Sequence, residues 1–178
     1  MKYFMLKQDK KTPTPPIPSG LIKAVPQLIV RSKQDKEPPK LMAFPINDSQ
    51  EAEYPAVLDT VFILVNTVVK ELFGKYDQAI TFKAVMLNDH KHRRQHFYWL
   101  MTPPTVNCLA NETEFYPDRT VKKLVLDEKK LIDKPIFKIG GLLAEHLAVR
   151  LDVAESLLRR DTVYGIDLKP ILTNRKEE

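Results

Sequence analysis

The residues of this chain best suited to chemistry are His90, Lys91, His92, Arg93, Arg94 and His96, which run directly into Phe97, Tyr98 and Trp99. Three histidines at spacings of two and four can offer imidazole nitrogens to zinc, but such a site needs three or four ligands with ordered supports. Only Asp89 stands close by and no cysteine lies at ligand spacing, so the segment reads better as a solvated hairpin turn. The same cations can meet phosphates, with the following aromatics stacking on bases. Because Tyr98 alternates with Phe97 and Trp99 along a strand, at least one of those two faces belongs to a core.

Other reactive groups have structural readings. Cys108 is the single cysteine, and His146 or His96 would be its general base. Nothing around Asn107, Cys108 and Leu109 offers the context that activates a thiol, so a buried structural cysteine is expected. One cysteine forms no disulfide within the chain, which fits a reducing compartment. The four serines, Ser19, Ser32, Ser49 and Ser156, lack a Gly-x-Ser-x-Gly elbow. The five glycines make neither a P-loop nor a dinucleotide fingerprint, so no nucleotide cofactor is expected. Asp161 and Asp167 flank the last strand as a conceivable acid–base pair, whereas the remaining acids lie in polar connections and read as solvated surface. The expectation is a protein without catalytic residues, metal or cofactor.

The chain that must position these residues has 178 residues, 43% of them hydrophobic and 29% charged, the balance of one soluble globular domain over 1–178. Its net charge of +5 comes from 28 basic and 23 acidic side chains that are intermixed, giving a mixed surface with only a modest bias towards anions. The longest apolar run, from Val61 to Val65, is too short to cross a bilayer, and Lys7 to Lys10 end the apolar start before a signal segment can form. A cytoplasmic location without membrane contact is expected.

Nine of the 14 prolines fall within the first 55 residues, so 8–40 reads as a loop-dominated, proline-rich part. Short strands are expected at Lys2 to Leu6, Gln27 to Arg31 and Lys40 to Phe44. Pro55 suits the first turn of a helix, and Leu58, Val61, Phe62, Val65, Val68, Val69 and Leu72 recur at helical spacing, predicting one long helix from Pro55 to Phe73. Ile80 to Leu87 and Gln95 to Met101 read as antiparallel strands joined by the polar turn Asn88 to Arg94. In the last third, strands are expected at Val121 to Leu126, Ile136 to Ile139, Leu147 to Leu151 and Tyr164 to Leu168, the last closed by Pro170. A short helix from Val153 to Arg160 starts from an Asp152 N-cap with Glu155 in the capping-box relation. Residues 173–178 read as a disordered tail. The predicted class is α+β, a largely antiparallel sheet with one long and one short helix.

Leu124-Val125-Leu126-Asp127, Ile136-Phe137-Lys138-Ile139, Val149-Arg150-Leu151-Asp152 leading into Glu155-Ser156-Leu157-Leu158, and Tyr164-Gly165-Ile166-Asp167-Leu168 together resemble the closing signature of the Imm11 family, immunity proteins of bacterial polymorphic toxin systems. Tyr98 to Leu109 and Thr113-Glu114-Phe115 are weaker echoes, and Asn107-Cys108-Leu109-Ala110 departs from the Asp-containing strand and turn expected there. The resemblance implies a non-enzymatic immunity-like protein that binds and neutralises a cognate protein toxin by stoichiometric occlusion. Such a protein needs an exposed surface with a few anchors and a polar rim. Partner-binding residues are expected at His90, Lys91, His92, Arg93 and Arg94, and at the acidic Asp48, Glu51 and Glu53. The acids matter because a toxin that attacks nucleic acids presents a basic cleft, to which a basic partner is ill matched. The alternative is a nucleic-acid-binding module using the turn 88–94 and its adjacent aromatics.

Overall fold

The structure is a computed structural model that describes residues 1–12, 15–24, 41–46, 52–60 and 62–174. The first half contains β1 (Tyr3–Gln8), β2 (Leu41–Pro45), β3 (Val57–Asp59), β4 (Ile63–Val65), helix α1 (Thr67–Tyr76) and the long hairpin β5 (Thr81–Asp89) and β6 (Arg94–Thr102). The second half contains β7 (Thr105–Val106), β8 (Glu114–Phe115), β9 (Val121–Lys123), β10 (Val125–Leu126), β11 (Ile136–Ile139), β12 (Leu147–Arg150), helix α2 (Leu151–Leu158) and β13 (Ile166–Thr173). A six-stranded sheet has the order β10-β13-β1-β12-β11-β7, a five-stranded sheet the order β2-β5-β6-β4-β3, and β8 and β9 form a separate pair. The expected strand Gln27 to Arg31 and most of the proline-rich part 8–40 lie outside the described residues.

The α+β expectation with one long helix is overturned: among the described residues strand accounts for 42% and helix for 17%, so the fold is mostly β. The stretch read as the first half of the long helix forms β3 and β4 instead. Val57, Leu58, Ile63, Leu64 and Val65 are all buried, with Val57, Ile63 and Val65 entering one core and Leu58 and Leu64 another. As strands they bury both faces at once. A helix through them would turn part of the set outward, forfeiting about 1.5–3 kcal/mol for each large side chain exposed, and its β-branched residues lower the propensity further. The helix therefore starts at Asn66, whose Oδ1 accepts the Val69 N–H at 2.9 Å as an N-cap.

Pro55 does not open a helix because its surroundings claim the backbone around it. The Tyr164 hydroxyl donates to the Tyr54 carbonyl at 2.6 Å, the Tyr98 hydroxyl to the Pro55 carbonyl at 2.7 Å, and the Asn66 N–H to the Ala56 carbonyl at 2.9 Å. The Ala56 N–H in turn donates to the Tyr164 carbonyl at 2.9 Å. Tyr54 to Ala56 is thus an extended strap tied to the approach to β13, to β6 and to the α1 cap.

Strand alternation builds three cores. Between the two sheets, Leu6, Leu147 and Val149 of the six-stranded sheet meet Val57, Ile63 and Val65 of the five-stranded one, with Phe73 of α1 and Leu157 of α2 filling the layer. Beyond the six-stranded sheet, Tyr3, Phe137, Ala148 and Ile171 pack with Leu131 and Cys108. Beyond the five-stranded sheet, Met42, Phe44, Val85, Leu87, Tyr98 and Leu100 pack with Leu21. The three cores thus pack both faces of the six-stranded sheet, one face of the five-stranded sheet, and the β3–β4 side of its other face.

Several expected elements shift in detail. The stretch Val121 to Leu126 divides at Leu124, because β9 pairs with β8 whereas β10 pairs in parallel with the end of β13. The last strand runs through Pro170, which faces Phe4 of β1; β10 covers the other side of β13 only at Leu172 and Thr173, so the missing N–H of Pro170 has an unpaired edge to face. Thr173 ends β13 and the Asn174 N–H donates to the Leu126 carbonyl at 2.9 Å, so the described chain reaches Asn174 within the 173–178 stretch read as a tail. Asp152 is not the N-cap of α2. Arg150 occupies that position without a side-chain cap, while Asp152 takes two hydrogen bonds from the Arg150 guanidinium at 2.9 and 2.8 Å.

Gly165 packs against the strap. Its φ is +69°, and an added Cβ would stand 2.4 Å from Pro55 Cβ. Gly165→Ala is expected to destabilise the fold by about 2 kcal/mol or more. Gly74, inside α1 with open space around it, is expected to gain about 0.5–1 kcal/mol on replacement by alanine. Urea unfolding of both variants measures the two opposite shifts.

Candidate functional site

The hairpin of β5 and β6 carries the basic turn, and its register runs unbroken from Thr81↔Thr102 to Asp89↔Arg94. Asp89 holds the turn shut. Its Oδ1 accepts the His92 N–H at 3.0 Å and its Oδ2 meets His92 Nδ1 at 2.6 Å, with the carboxylate itself buried. Desolvation pushes the Asp89 carboxyl up, but the hydrogen bonds from the His92 backbone and ring outweigh it and hold the group below the ordinary aspartate range. Arg93 adopts φ +55°, the left-handed residue that closes the turn. Around it, Asn88, Asp89, His90, Arg93, Arg94 and Gln95 line a shallow pocket of about 430 Å³.

The three histidines do not converge. His92 is bound to Asp89, whereas the His96 ring stacks on Tyr54 with centroids 3.3 Å apart and planes 13° apart. Burial, with Arg94 nearby, lowers the His96 pKa. Among the described residues no group of three or more His, Cys, Asp and Glu side chains is placed to hold a metal ion. Cys108 is fully buried in the core beyond the six-stranded sheet, and that burial pushes its thiol up to about 11, opposite to the activation a nucleophile needs. Of the three acids expected to bind a partner, Asp48 and Glu51 lie outside the described residues, and Glu53 is exposed. The next residue, Tyr54, stacks on His96, which points to the face of β6 opposite that of Phe97.

What sequence reasoning missed is a face that begins at the turn. The parallel pairing of β2 with β5 and the antiparallel pairing of β5 with β6 place residues in three transverse rows: Leu41, Ala84 and Trp99; Ala43, Met86 and Phe97; Pro45, Asn88 and Gln95. Their partners on the opposite face, such as Met42, Val85 and Tyr98, are buried. The nine themselves are exposed in β2 and half-buried in β5, and Phe97 is 55% exposed. Seven of the nine are apolar. Helix α1 covers the neighbouring half of this face and stops at Trp99, whose indole N–H donates to Thr67 Oγ1 at 3.2 Å and whose ring lies 4.6 Å below Lys70 Nζ. Asn88 and Gln95 belong both to the last row and to the pocket at the turn, so the face and the basic turn form one continuous surface.

The period-2 pattern was visible in Lys40 to Phe44 and in Ile80 to Leu87, but both faces of these strands are apolar, and alternation alone does not say which one is covered. A second, smaller concavity of about 360 Å³ lies between the β8–β9 pair and the 141–143 turn, lined by Phe115, Arg119, Gly141, Leu142 and Leu143.

Among the described residues no helix is long and apolar enough to cross a membrane. No protein-family model, curated protein or solved structure matches this chain.

The Asp89 lock carries a pH signature. A folded-state pKa below the ordinary value means that the stabilisation is present above the unfolded pKa and is lost as pH falls through the folded one. Asp89→Asn is therefore expected to lower the unfolding midpoint at neutral pH, with the gap to the parent closing below about pH 4. Urea titrations across that range check it.

Proposed function

We propose that this protein is a non-enzymatic binding protein of the immunity type, which neutralises a cognate bacterial protein toxin by covering it. The observation that carries the reading is the apolar face of β2, β5 and β6, over which no helix or strand lies among the described residues. Seven apolar residues stand there in register, exposed or half-buried, among them an exposed phenylalanine, an adaptable methionine and a tryptophan. Aromatic and methionine side chains are the usual anchors of interface centres. The sequence features similar to the Imm11 family support the same reading from another part of the fold: they supply β10 to β13 and α2, which belong to the other sheet and the core between the two.

A second reading has its own observation. The face of Phe97 leads through Asn88 and Gln95 to the pocket at the basic turn, an arrangement that also suits single-stranded nucleic acid. On that reading oligonucleotide affinity falls steeply with salt and with Arg93→Ala plus Arg94→Ala; a filter-binding titration indifferent to both excludes it.

The leading reading is tested by calorimetry and size exclusion with the product of the neighbouring toxin-like gene. A one-to-one complex is expected, weakened by about 30-fold or more in Phe97→Ser, the effect of losing a central anchor, and unchanged in Phe115→Ser in the separate β8–β9 pair. Absence of a complex, or loss with Phe115→Ser alone, would reject the reading.

A further inference from the structure

We infer that the concavity between the β8–β9 pair and the 141–143 turn binds a small amphipathic carboxylate, with its head on Arg119 and its apolar body on Phe115, Leu142 and Leu143. The site is built from other strands and turns than the face of β2, β5 and β6, and it stands or falls independently of the toxin reading.

Both walls are tied to the stretch from Val106 to Ala110. On one side the Ala110 N–H donates to the Val125 carbonyl at 2.9 Å, the Thr113 hydroxyl to the same carbonyl at 2.8 Å, and the Thr113 N–H to the Ala110 carbonyl at 3.1 Å, which roots the β8–β9 pair on β10. On the other, the Gly140 N–H donates to the Val106 carbonyl at 2.8 Å, and Gly141, at φ +82°, lies so close to Leu109 that an added Cβ would stand 3.2 Å from Leu109 Cδ1. Leu142 packs against the core beyond the six-stranded sheet, while Phe115 and Leu143 are exposed. Walls held this way in the free protein admit a ligand with little ordering cost.

The head group follows from Arg119. The Tyr116 N–H donates to the Thr120 carbonyl at 2.8 Å and the Arg119 N–H to the Tyr116 carbonyl at 2.9 Å, closing a three-residue hairpin loop in which Pro117 suits the first position of a type I turn. The third residue of such a loop is left-handed, where glycine fits without steric cost. This chain places Arg119 there, at φ +65°. The hairpin thus carries a guanidinium on the concavity at the position where its own backbone favours glycine. The acids nearby are engaged with other groups: Asp118 Oδ1 accepts the Thr120 N–H at 2.9 Å and its hydroxyl at 2.6 Å, and Glu114 pairs with Lys122 at 2.8 Å. The lining contains no acid, and among the described residues no carboxylate pairs with Arg119.

One guanidinium matches one carboxylate, through two parallel N–H···O bonds, whereas a phosphate monoester brings nearly two charges to it. A volume of about 360 Å³ falls at the lower end of small-molecule sites, and the lining is far smaller than the roughly 20–30 residues of a protein interface. The exposed Phe115 and Leu143 side chains gain by being covered, which calls for an apolar body behind the head.

The test titrates the full chain, labelled with nitrogen-15, with octanoate below its micelle concentration and follows the amide signals. Saturable shifts centred on 115–120 and 141–143 are expected, with a Kd of about 1 mM or tighter. 1-Octanol and octylammonium, which keep the body and lack the anion, and acetate, which keeps only the head, are each expected to bind about tenfold or more weaker. Arg119→Gly removes the cation and supplies the residue the loop favours, so its urea midpoint is expected to hold or rise while octanoate affinity falls about tenfold or more. Leu143→Ser, at an exposed position, is expected to weaken octanoate without altering the midpoint. An octanoate titration without saturation, shifts centred on Met86 and Phe97 instead, octanol binding as tightly as octanoate, or unchanged octanoate affinity in Arg119→Gly would each overturn the inference.

Discussion

The strap from Tyr54 to Ala56 is the constraint on which the rest of the architecture depends. Its three carbonyls are taken by Tyr164, Tyr98 and Asn66, and its one N–H besides that of Tyr54 goes to the Tyr164 carbonyl. Two of the donors are phenols. Burial raises the pKa of Tyr98, keeping its hydroxyl protonated and able to donate. Since Pro55 and Ala56 are buried, their carbonyls and the Ala56 N–H would otherwise stand unpaired at a cost of about 1–3 kcal/mol each, whereas the Tyr164 bond to Tyr54 is exposed and adds less. Tying β6, the approach to β13 and the α1 cap to one short segment sets the two sheets against each other and places the start of α1.

That placement has a consequence for the surface. From Asn66, α1 runs along one half of the five-stranded sheet and covers β3, β4 and one side of β6 with Val69, Leu72 and Phe73. Trp99 marks the limit of its reach. Beyond it, β2, β5 and β6 keep their opposite face packed by Met42, Phe44, Val85 and Tyr98, while the near face has no helix over it among the described residues. A sheet buried on both sides needs apolar residues on both sides of each strand. When a covering element stops early, the same pattern leaves an apolar surface, the kind of feature that marks an interaction site.

The basic turn belongs to this surface through register rather than proximity in sequence. Asn88 and Gln95 face each other across the hairpin, and each carries both the last apolar row and one wall of the turn pocket. Asp89, one residue further, points the other way and is consumed in holding His92. The alternation of strand faces thus turns Asp89, and Arg94 paired with it, away from the apolar rows, and leaves Asn88 and Gln95 as the link between those rows and the turn.

Sequence alone determined the local elements whose signals are local. The Ile80 to Leu87 and Gln95 to Met101 hairpin, the Ile136 to Ile139 strand and the short helix after Leu151 were legible because alternation, a polar turn and an amphipathic stripe are properties of a few neighbouring residues. The burial of Cys108 was legible because nothing around Asn107 and Leu109 offers the context that activates a thiol. Tertiary structure decided what depends on partners distant in the chain. Val57 to Val65 satisfies helical and strand spacing alike, and the hydrogen bonds from Tyr98 and Tyr164 to the strap, together with burial on two faces, decide for strand. Likewise Phe97 and Tyr98 are adjacent and equally apolar. The packing of Leu21, Met42 and Phe44 with Tyr98 makes one of them a core residue, and the position at which α1 ends leaves the other 55% exposed as a candidate anchor, because exposure is a property of what lies above a strand and not of the strand itself.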